Sequence, residues 1–298
     1  MQSREKRRLR IKGKIVINQP MKELTSLKIG GLADFFVIPE DIDDLKAVLN
    51  FCTQEKIPFL VIGNGSKLLI QDEGFKGVVI KLGEGFKKIR NENEELIVGA
   101  GVNLSSLIDF TAKKGLSGLE SLIGIPGTLG GAVVRNASAF GESLSQRIIW
   151  AKVLDRNNSG FTLSRKDMDF DYRTSIFLKN KDLILVEVKL SLPFDSKEKI
   201  ISRLKETNRK KIQTQPLSFP SAGCIFKNPS FYSAGYLIQS TGCLGMRVGD
   251  AQVSFQHGNF IINRGEAQAK DIIQLMEKIR KKVKEKFNIL LEPEVEII

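Results

Sequence analysis

The residue types best suited to chemistry lie in two glycine-rich loops. The first, Gly63-Asn64-Gly65-Ser66-Lys67-Leu68-Leu69, follows directly on the apolar run FLVI. The second is Gly124-Ile125-Pro126-Gly127-Thr128-Leu129-Gly130-Gly131. Such loops expose consecutive backbone N–H groups, and glycine lets the main chain approach an anion closely, so a diphosphate is the natural guest. Either loop alone reads equally as a tight turn; two separate loops suggest a diphosphate with an adenosine beyond it. Neither has the Rossmann fingerprint, because Leu68 occupies the sixth position of G-x-G-x-x-G, and neither has the GK[ST] of a Walker A loop.

Other chemistries are excluded by what is scarce. The chain has one histidine, His257, so a His-rich metal site and HExxH are absent, and no GxSxG elbow accompanies it. His257 reads as a structural histidine. Cysteines stand at 52, 224 and 243, an odd number without CxxC spacing. That argues against a disulfide framework and a zinc site and fits a reducing, cytoplasmic setting. No metal is expected. Nothing resembles a secretory signal, and no apolar run approaches the roughly 18 residues a membrane span needs.

The 298 residues are 42% hydrophobic and carry a formal net charge of +12. That length accommodates about two domains with cores of their own. The positive charge is clustered at 1–14, 197–211 and 270–286. These clusters suit solvated helix faces or tails, and the field they create favours nucleotides and diphosphates. A nucleic-acid partner lacks support: there is no such motif, and the chain has one Trp and three Tyr.

The elements that must hold the loops are legible from periodicity. Residues 35–38 read as a strand closed by Pro39, and 42–55 as a helix with Asp41 as N-cap and Leu45, Val48, Leu49 and Cys52 at helical spacing. Strands follow at 59–62 and 78–82, giving a βαβ-like unit. From 96, LIVGAGV is strand-like, and Asn103 opens a helix to Lys114 with Gly115 after it. Residues 124–131 are a loop by composition. Strands are expected at 149–154 and 183–192, a linker at 193–196, a basic helix at 197–213, and strands at 223–226 and 259–263. An amphipathic helix at 269–286 and a short strand near 289–297 end the chain. Strands and helices mix without regular alternation, so the class is α+β.

Seven segments then resemble one family in order. They are TSLKIGGLADFFVIP (25–39), IGNGSKLLIQDEGFKGVVI (62–80), LESLIGIPGTLGGAVVRNASAFG (119–141), DYRTSIF (171–177), SAGCIFKNP (221–229), AGYLIQSTGCLG (234–245) and LEPEV (291–295). Together they are similar to the UDP-N-acetylenolpyruvoylglucosamine reductase family, of the shorter type without a Tyr-bearing loop, from about residue 20 to the C-terminus.

The resemblance implies a two-subdomain FAD-binding fold of the vanillyl-alcohol oxidase type over 20–193 (subdomains about 20–84 and 85–193), and a C-terminal α+β substrate domain over 197–298. It implies non-covalent FAD held by Gly63, Asn64, Gly65, Ser66, Lys67, Gly124, Ile125, Pro126, Gly127, Thr128, Gly130 and Gly131. NADPH would reduce the flavin. The flavin would pass hydride to C3 of UDP-N-acetylglucosamine enolpyruvate, and an acid would protonate C2 to give UDP-N-acetylmuramate, a peptidoglycan precursor. No obligate protein partner is expected.

That reaction builds negative charge beside a carboxylate, which preorganised donors must meet, and then needs a positioned acid. The resemblance assigns Arg173 and Glu294 to the substrate carboxylate, with Glu294 protonated or water-bridged and Glu292 as its rival. Cys224 falls where the family commonly has a serine proton donor, with Ser221 as the alternative. A thiol of ordinary pKa near 8.5 is about 97% protonated at pH 7 and can donate. Cys52 and Cys243 receive no role.

The chain also departs from the family pattern. Lys67 replaces an Asn, Arg135 an apolar residue, Ser138 a Gly, Leu244 a Lys and Phe255 a Glu. Two competing readings are an oxidase of the same FAD fold acting on a small alcohol or sugar, and a non-catalytic basic binding protein on the same scaffold. The segments SAGCIFKNP and LEPEV argue against the oxidase; a purified protein without a flavin spectrum would favour the binding protein.

Overall fold

The structure is a computed structural model that describes residues 9–298. Residues 1–8, the first part of the basic segment 1–14, lie outside the described residues. The architecture is α+β and forms two compact units, neither of which is a continuous stretch of chain. One takes the residues up to Ile17, Asp34–Asn64 and Lys76–Arg209; the other takes Asn18–Ala33, Gly65–Phe75 and Lys210–Ile298.

Most of a four-stranded sheet in the order Lys14–Pro20, Leu32–Ile38, Phe75–Lys81, Phe59–Ile62 belongs to the first unit. The last two strands are parallel, with Phe59 opposite Val78. The helix Ile42–Gln54 begins at Asp41, whose carboxylate accepts from the N–H groups of Asp43 and Asp44. Its Leu45, Val48, Leu49 and Cys52 are buried, as their spacing requires.

A five-stranded sheet in the same unit runs Gly160–Ser164, Ile148–Leu154, Ile184–Ser191, Glu95–Gly99, Ile89–Glu92, antiparallel throughout. The helix Leu104–Lys114 ends on Gly115, whose φ of 72° is the left-handed conformation that glycine adopts without penalty. One hydrophobic core, with members from Leu9 to Leu192, packs the two sheets and these helices together.

The second unit is built on an antiparallel sheet in the order Ser221–Cys224, Phe260–Asn263, Ala251–Val253, Arg247–Val248. The helix Ala269–Phe287 buries Ile272, Leu275, Met276, Ile279 and Val283 in that unit's core. A capping box between Gln268 and Asp271 starts it.

Four features differ from the sequence reading. The partition does not follow domains at 20–193 and 197–298. Leu27, Ile29 and Leu69 are buried in the core of the second unit, and the strand Glu296–Ile297 pairs in parallel with Leu68–Leu69. The loop at 124–131 ends early: Thr128 caps a helix, Leu129–Val134, by accepting from the Gly131 N–H. Glycine content hid that helix; a Cβ on Gly130 would lie 3.0 Å from the Ala100 carbonyl oxygen, a tight approach that glycine avoids. The terminal strand is confined to Glu296–Ile297, and the strand expected at 223–226 runs Ser221–Cys224.

Candidate active site

In the first unit, the second glycine loop interlocks with the start of the first. A Cβ added to Gly63 would lie 2.6 Å from the Thr128 hydroxyl oxygen. The Asn64 amide donates to Asn103 Oδ1 at 3.1 Å, which explains why Asn103 opens its helix without a side-chain capping bond. The Leu104 N–H donates to the Gly127 carbonyl, and the Leu129 and Gly130 N–H groups donate to the carbonyls of Val102 and Ala100. Gly124 and Gly127 take positive φ values of 75° and 152°, so glycine is required at both.

The division between the units falls after Asn64, so Gly65, Ser66 and Lys67 belong to the second. Gly65 has φ 63°, and a Cβ on it would lie 2.1 Å from the Leu24 carbonyl oxygen. Each loop, taken by itself, suits an anionic phosphate group. The first loop carries the Asn64 amide and the Ser66 hydroxyl and the second the Thr128 hydroxyl, neither carries a carboxylate, and a Cβ on Gly131 would meet only Thr128 Oγ1, at 3.7 Å, although the N–H groups of Ile125, Leu129, Gly130 and Gly131 are already donated within the fold.

Arg173 also lies in the first unit, in a turn closed by reciprocal hydrogen bonds between Asp171 and Thr174. Its φ of 56° is a left-handed conformation that a non-glycine residue keeps only when its surroundings enforce it. The enforcement comes from two contacts that the sequence did not advertise. The buried Asn136 amide donates to the Asp171 carbonyl at 3.0 Å, and the Ser175 hydroxyl donates to the Val134 carbonyl at 2.6 Å. The Arg173 guanidinium lies 5.6 Å from the Tyr172 ring centroid.

The second unit brings Lys67, Cys224 and Glu294 together. Three chain segments do this. A register shift between Ser221 and Cys224, with Gly223 at φ 69°, bends the strand and re-aims Cys224. The Glu294 N–H donates to the Ile225 carbonyl at 2.7 Å, and the Glu296 N–H donates to the Lys67 carbonyl at 2.9 Å. The buried Asn259 amide stitches the next residue by accepting from Phe226 N–H and donating to Phe226 O. As a result Lys67 Nζ donates to the Cys224 carbonyl at 2.7 Å and sits 2.8 Å from Glu294 Oε1.

Glu294 is 7% exposed, whereas Glu292 is 74% exposed and pairs loosely with Lys227 at 3.4 Å. Ser221 has its carbonyl bonded by the Ser26 hydroxyl at 2.7 Å. Cys224 is half-buried, while Cys52 and Cys243 are buried. Burial pushes the Cys52 thiol up to about 12, against the opposing field of Arg156. His257 accepts from the Asn259 N–H through Nδ1, packs edge-on against Phe260, and is held below its ordinary pKa by burial. Phe255 lies over Gly245, where a Cβ would come 2.2 Å from its ring.

Sequence reasoning placed Lys67 with the cofactor residues and did not connect it to Cys224 or Glu294. Its one available signal was the departure from Asn at 67. Asn136 and Asn259 carried no signal of their own.

Two family models match this chain: "FAD binding domain" over residues 33–163, and "UDP-N-acetylenolpyruvoylglucosamine reductase, C-terminal domain" over 215–298. The UDP-N-acetylenolpyruvoylglucosamine reductase of Bacillus subtilis (strain 168) is 41% identical, covering 96% of this chain and 94% of its own length. The enzyme of that name from Caldanaerobacter subterraneus subsp. tengcongensis is 42% identical over the same shares. The crystal structure of UDP-N-acetylenolpyruvylglucosamine reductase from Thermus caldophilus superposes with a TM-score of 0.82 at 36% identity, covering 97% of this chain and 99% of that one. 6-Hydroxy-D-nicotine oxidase from Arthrobacter nicotinovorans shares the fold alone, with a TM-score of 0.51 at 11% identity, covering 96% of this chain and 62% of that one.

Fold and loops together define an FAD-dependent oxidoreductase built on the two-subdomain FAD-binding fold of the vanillyl-alcohol oxidase type. Within that class, the chain belongs to the UDP-N-acetylenolpyruvoylglucosamine reductase family.

Proposed function

We propose that the chain reduces UDP-N-acetylglucosamine enolpyruvate to UDP-N-acetylmuramate, a step of peptidoglycan precursor synthesis, with FAD as cofactor and NADPH as electron donor. The proposed setting is the cytoplasm, in support of cell shape and division. The observation that carries the reading is the meeting of Cys224, Glu294 and Lys67 in one place, where an ion pair on segments far apart in sequence grips the main chain of Cys224.

When bound, FAD supplies the two-electron transfer that the side chains themselves do not. Gly63, Asn64, Gly65, Ser66, Gly124, Ile125, Pro126, Gly127, Thr128, Gly130 and Gly131 are assigned to holding it; Lys67, which the sequence groups with them, is instead assigned to the neighbourhood of Cys224 and Glu294, to which it is bonded. The rest falls to this chain's residues. Reduction at C3 of the enolpyruvyl double bond leaves an electron pair at C2, delocalised into the adjacent carboxylate. Arg173 and the Glu294 centre are assigned to that carboxylate, where fixed donors need no reorganisation as charge builds. The Cys224 S–H bond breaks, its proton goes to C2, and the thiolate regains a proton from solvent. The segment 197–298 is proposed as the substrate-binding part of the chain.

Anaerobic spectroscopy tests the reading. The purified protein is expected to be yellow and to release FAD on heat denaturation. NADPH bleaches it, and UDP-N-acetylglucosamine enolpyruvate restores the oxidised spectrum with formation of UDP-N-acetylmuramate. A bleached protein that the enolpyruvyl substrate cannot reoxidise refutes the proposal.

A further inference from the structure

The position of Lys67 goes beyond this assignment while resting on it. An ammonium has three N–H donors and no acceptor. Lys67 directs one at the Cys224 carbonyl at 2.7 Å and a second at Glu294 Oε1 at 2.8 Å. Its side chain is 21% exposed, so it is tied down at the edge of the second unit and still open to a ligand. Gly223, with its φ of 69°, lets the strand turn beside Nζ, which would lie in ordinary contact, 3.5 Å, with a Cβ there.

Glu294 is in the opposite position. An ion-paired carboxylate only accepts hydrogen bonds, and it repels a second carboxylate. Facing an anionic substrate, the pair therefore has one attractive end, the ammonium. We propose that Lys67, not Glu294, is the group that donates to the carboxylate of the enolpyruvyl substrate, and that Glu294 is the positioning residue that anchors Lys67 beside Cys224. The third N–H of the ammonium makes the contact. Charge building on the carboxylate during reduction then meets a cation held next to the proton donor.

The test separates a carboxylate contact from a structural role by using two ligands of the same holoenzyme. UDP-N-acetylmuramate bears the carboxylate; UDP-N-acetylglucosamine lacks it. In Lys67→Met, affinity for UDP-N-acetylmuramate, read by titration of the flavin spectrum, is expected to fall roughly 10- to 150-fold, the loss that accompanies one charge-assisted hydrogen bond. Affinity for UDP-N-acetylglucosamine stays within about twofold of wild type. Lys67→Gln keeps a polar N–H donor while removing the charge and shortening the reach, so it guards against a folding defect and shows the same selective loss. Lys67→Arg restores part of the affinity.

The kinetics follow the same split: kcat with the enolpyruvyl substrate drops about 10²–10³-fold in Lys67→Met, while NADPH bleaches the flavin at the wild-type rate. Equal loss of both ligands, or loss of neither, overturns the inference. A wild-type protein that binds neither ligand overturns the proposed function instead.

Discussion

Replacing Gly63 by alanine tests the packing of the two glycine loops directly. Gly63 has an ordinary negative φ region available to alanine, since it is absent from the residues with positive φ, so any cost comes from space. The new Cβ would sit 2.6 Å from Thr128 Oγ1, closer than such atoms approach, but 3.6 Å from Thr128 Cβ, an ordinary contact. The clash is thus with the one oxygen that caps the Leu129–Val134 helix.

Overpacking of this kind costs about 1–3 kcal/mol. Thr128→Ala alone loses the cap, at about 1 kcal/mol. In the double variant the clashing oxygen is gone, so its cost should be close to that of Thr128→Ala. The cycle should therefore give about 1–3 kcal/mol of favourable coupling. Urea denaturation of the flavin-free protein measures each corner, and flavin content measures the effect on the cofactor site. Strictly additive costs, or a neutral Gly63→Ala, would show that the loops do not meet as described.

Four further outcomes are expected. Cys224→Ala should still be bleached by NADPH but be reoxidised by the enolpyruvyl substrate orders of magnitude more slowly, with Cys224→Ser recovering much of the rate; full reoxidation in the alanine variant would move the donor role to Ser221. Alkylation of the native protein should label Cys224 alone, because burial pushes the Cys52 thiol up to about 12 and Cys243 is buried; mass spectrometry of the peptides reads this. Arg173→Ala should lower turnover about 10²–10³-fold while retaining FAD and flavin reduction, and a loss of bleaching would disprove its assigned role.

Stability should decline on acidification. Burial alone would raise Glu120, but Arg203, the Gly118 N–H and Ser117 outweigh it and hold its carboxyl below the ordinary value of 4.5. His257 is held below 6.5 by burial. Both folded pKa values are depressed, so both contributions are complete above the unfolded values and vanish as pH falls through the folded ones. Arg203→Ala should remove the Glu120 part at a cost of about 1 kcal/mol, modest because Arg203 is 42% exposed. An unchanged acid midpoint in that variant would contradict the pairing.

Much of the local structure was legible because its signals are short-range. The Asp41 cap, the helical spacing of Leu45, Val48, Leu49 and Cys52, and the Gly115 stop each involve residues within one or two helical turns, where side-chain direction follows from backbone geometry. The Ala269–Phe287 helix declared itself through Ile272, Met276, Ile279 and Val283 in the same way. The helix opening at Leu129 was missed because Gly130 and Gly131 depress helical propensity, while the contact that justifies Gly130, the Ala100 carbonyl, lies outside any local window.

The sequence by itself determined the chemical inventory: two glycine loops free of acids, a thiol at 224, one arginine in the turn at 173, and no clustered histidines. What each residue meets was decided by tertiary structure. Arg173 owes its left-handed backbone to surroundings that include Asn136, 35 residues away from the carbonyl it bonds. Lys67 reaches the Cys224 carbonyl across 157 residues of chain, because a two-residue parallel pairing of Leu68–Leu69 with Glu296–Ile297 fixes where three segments converge. A pairing that short leaves no periodicity to read. Its register is held by Leu69 and the surrounding buried core, a property of the folded whole that no local pattern encodes.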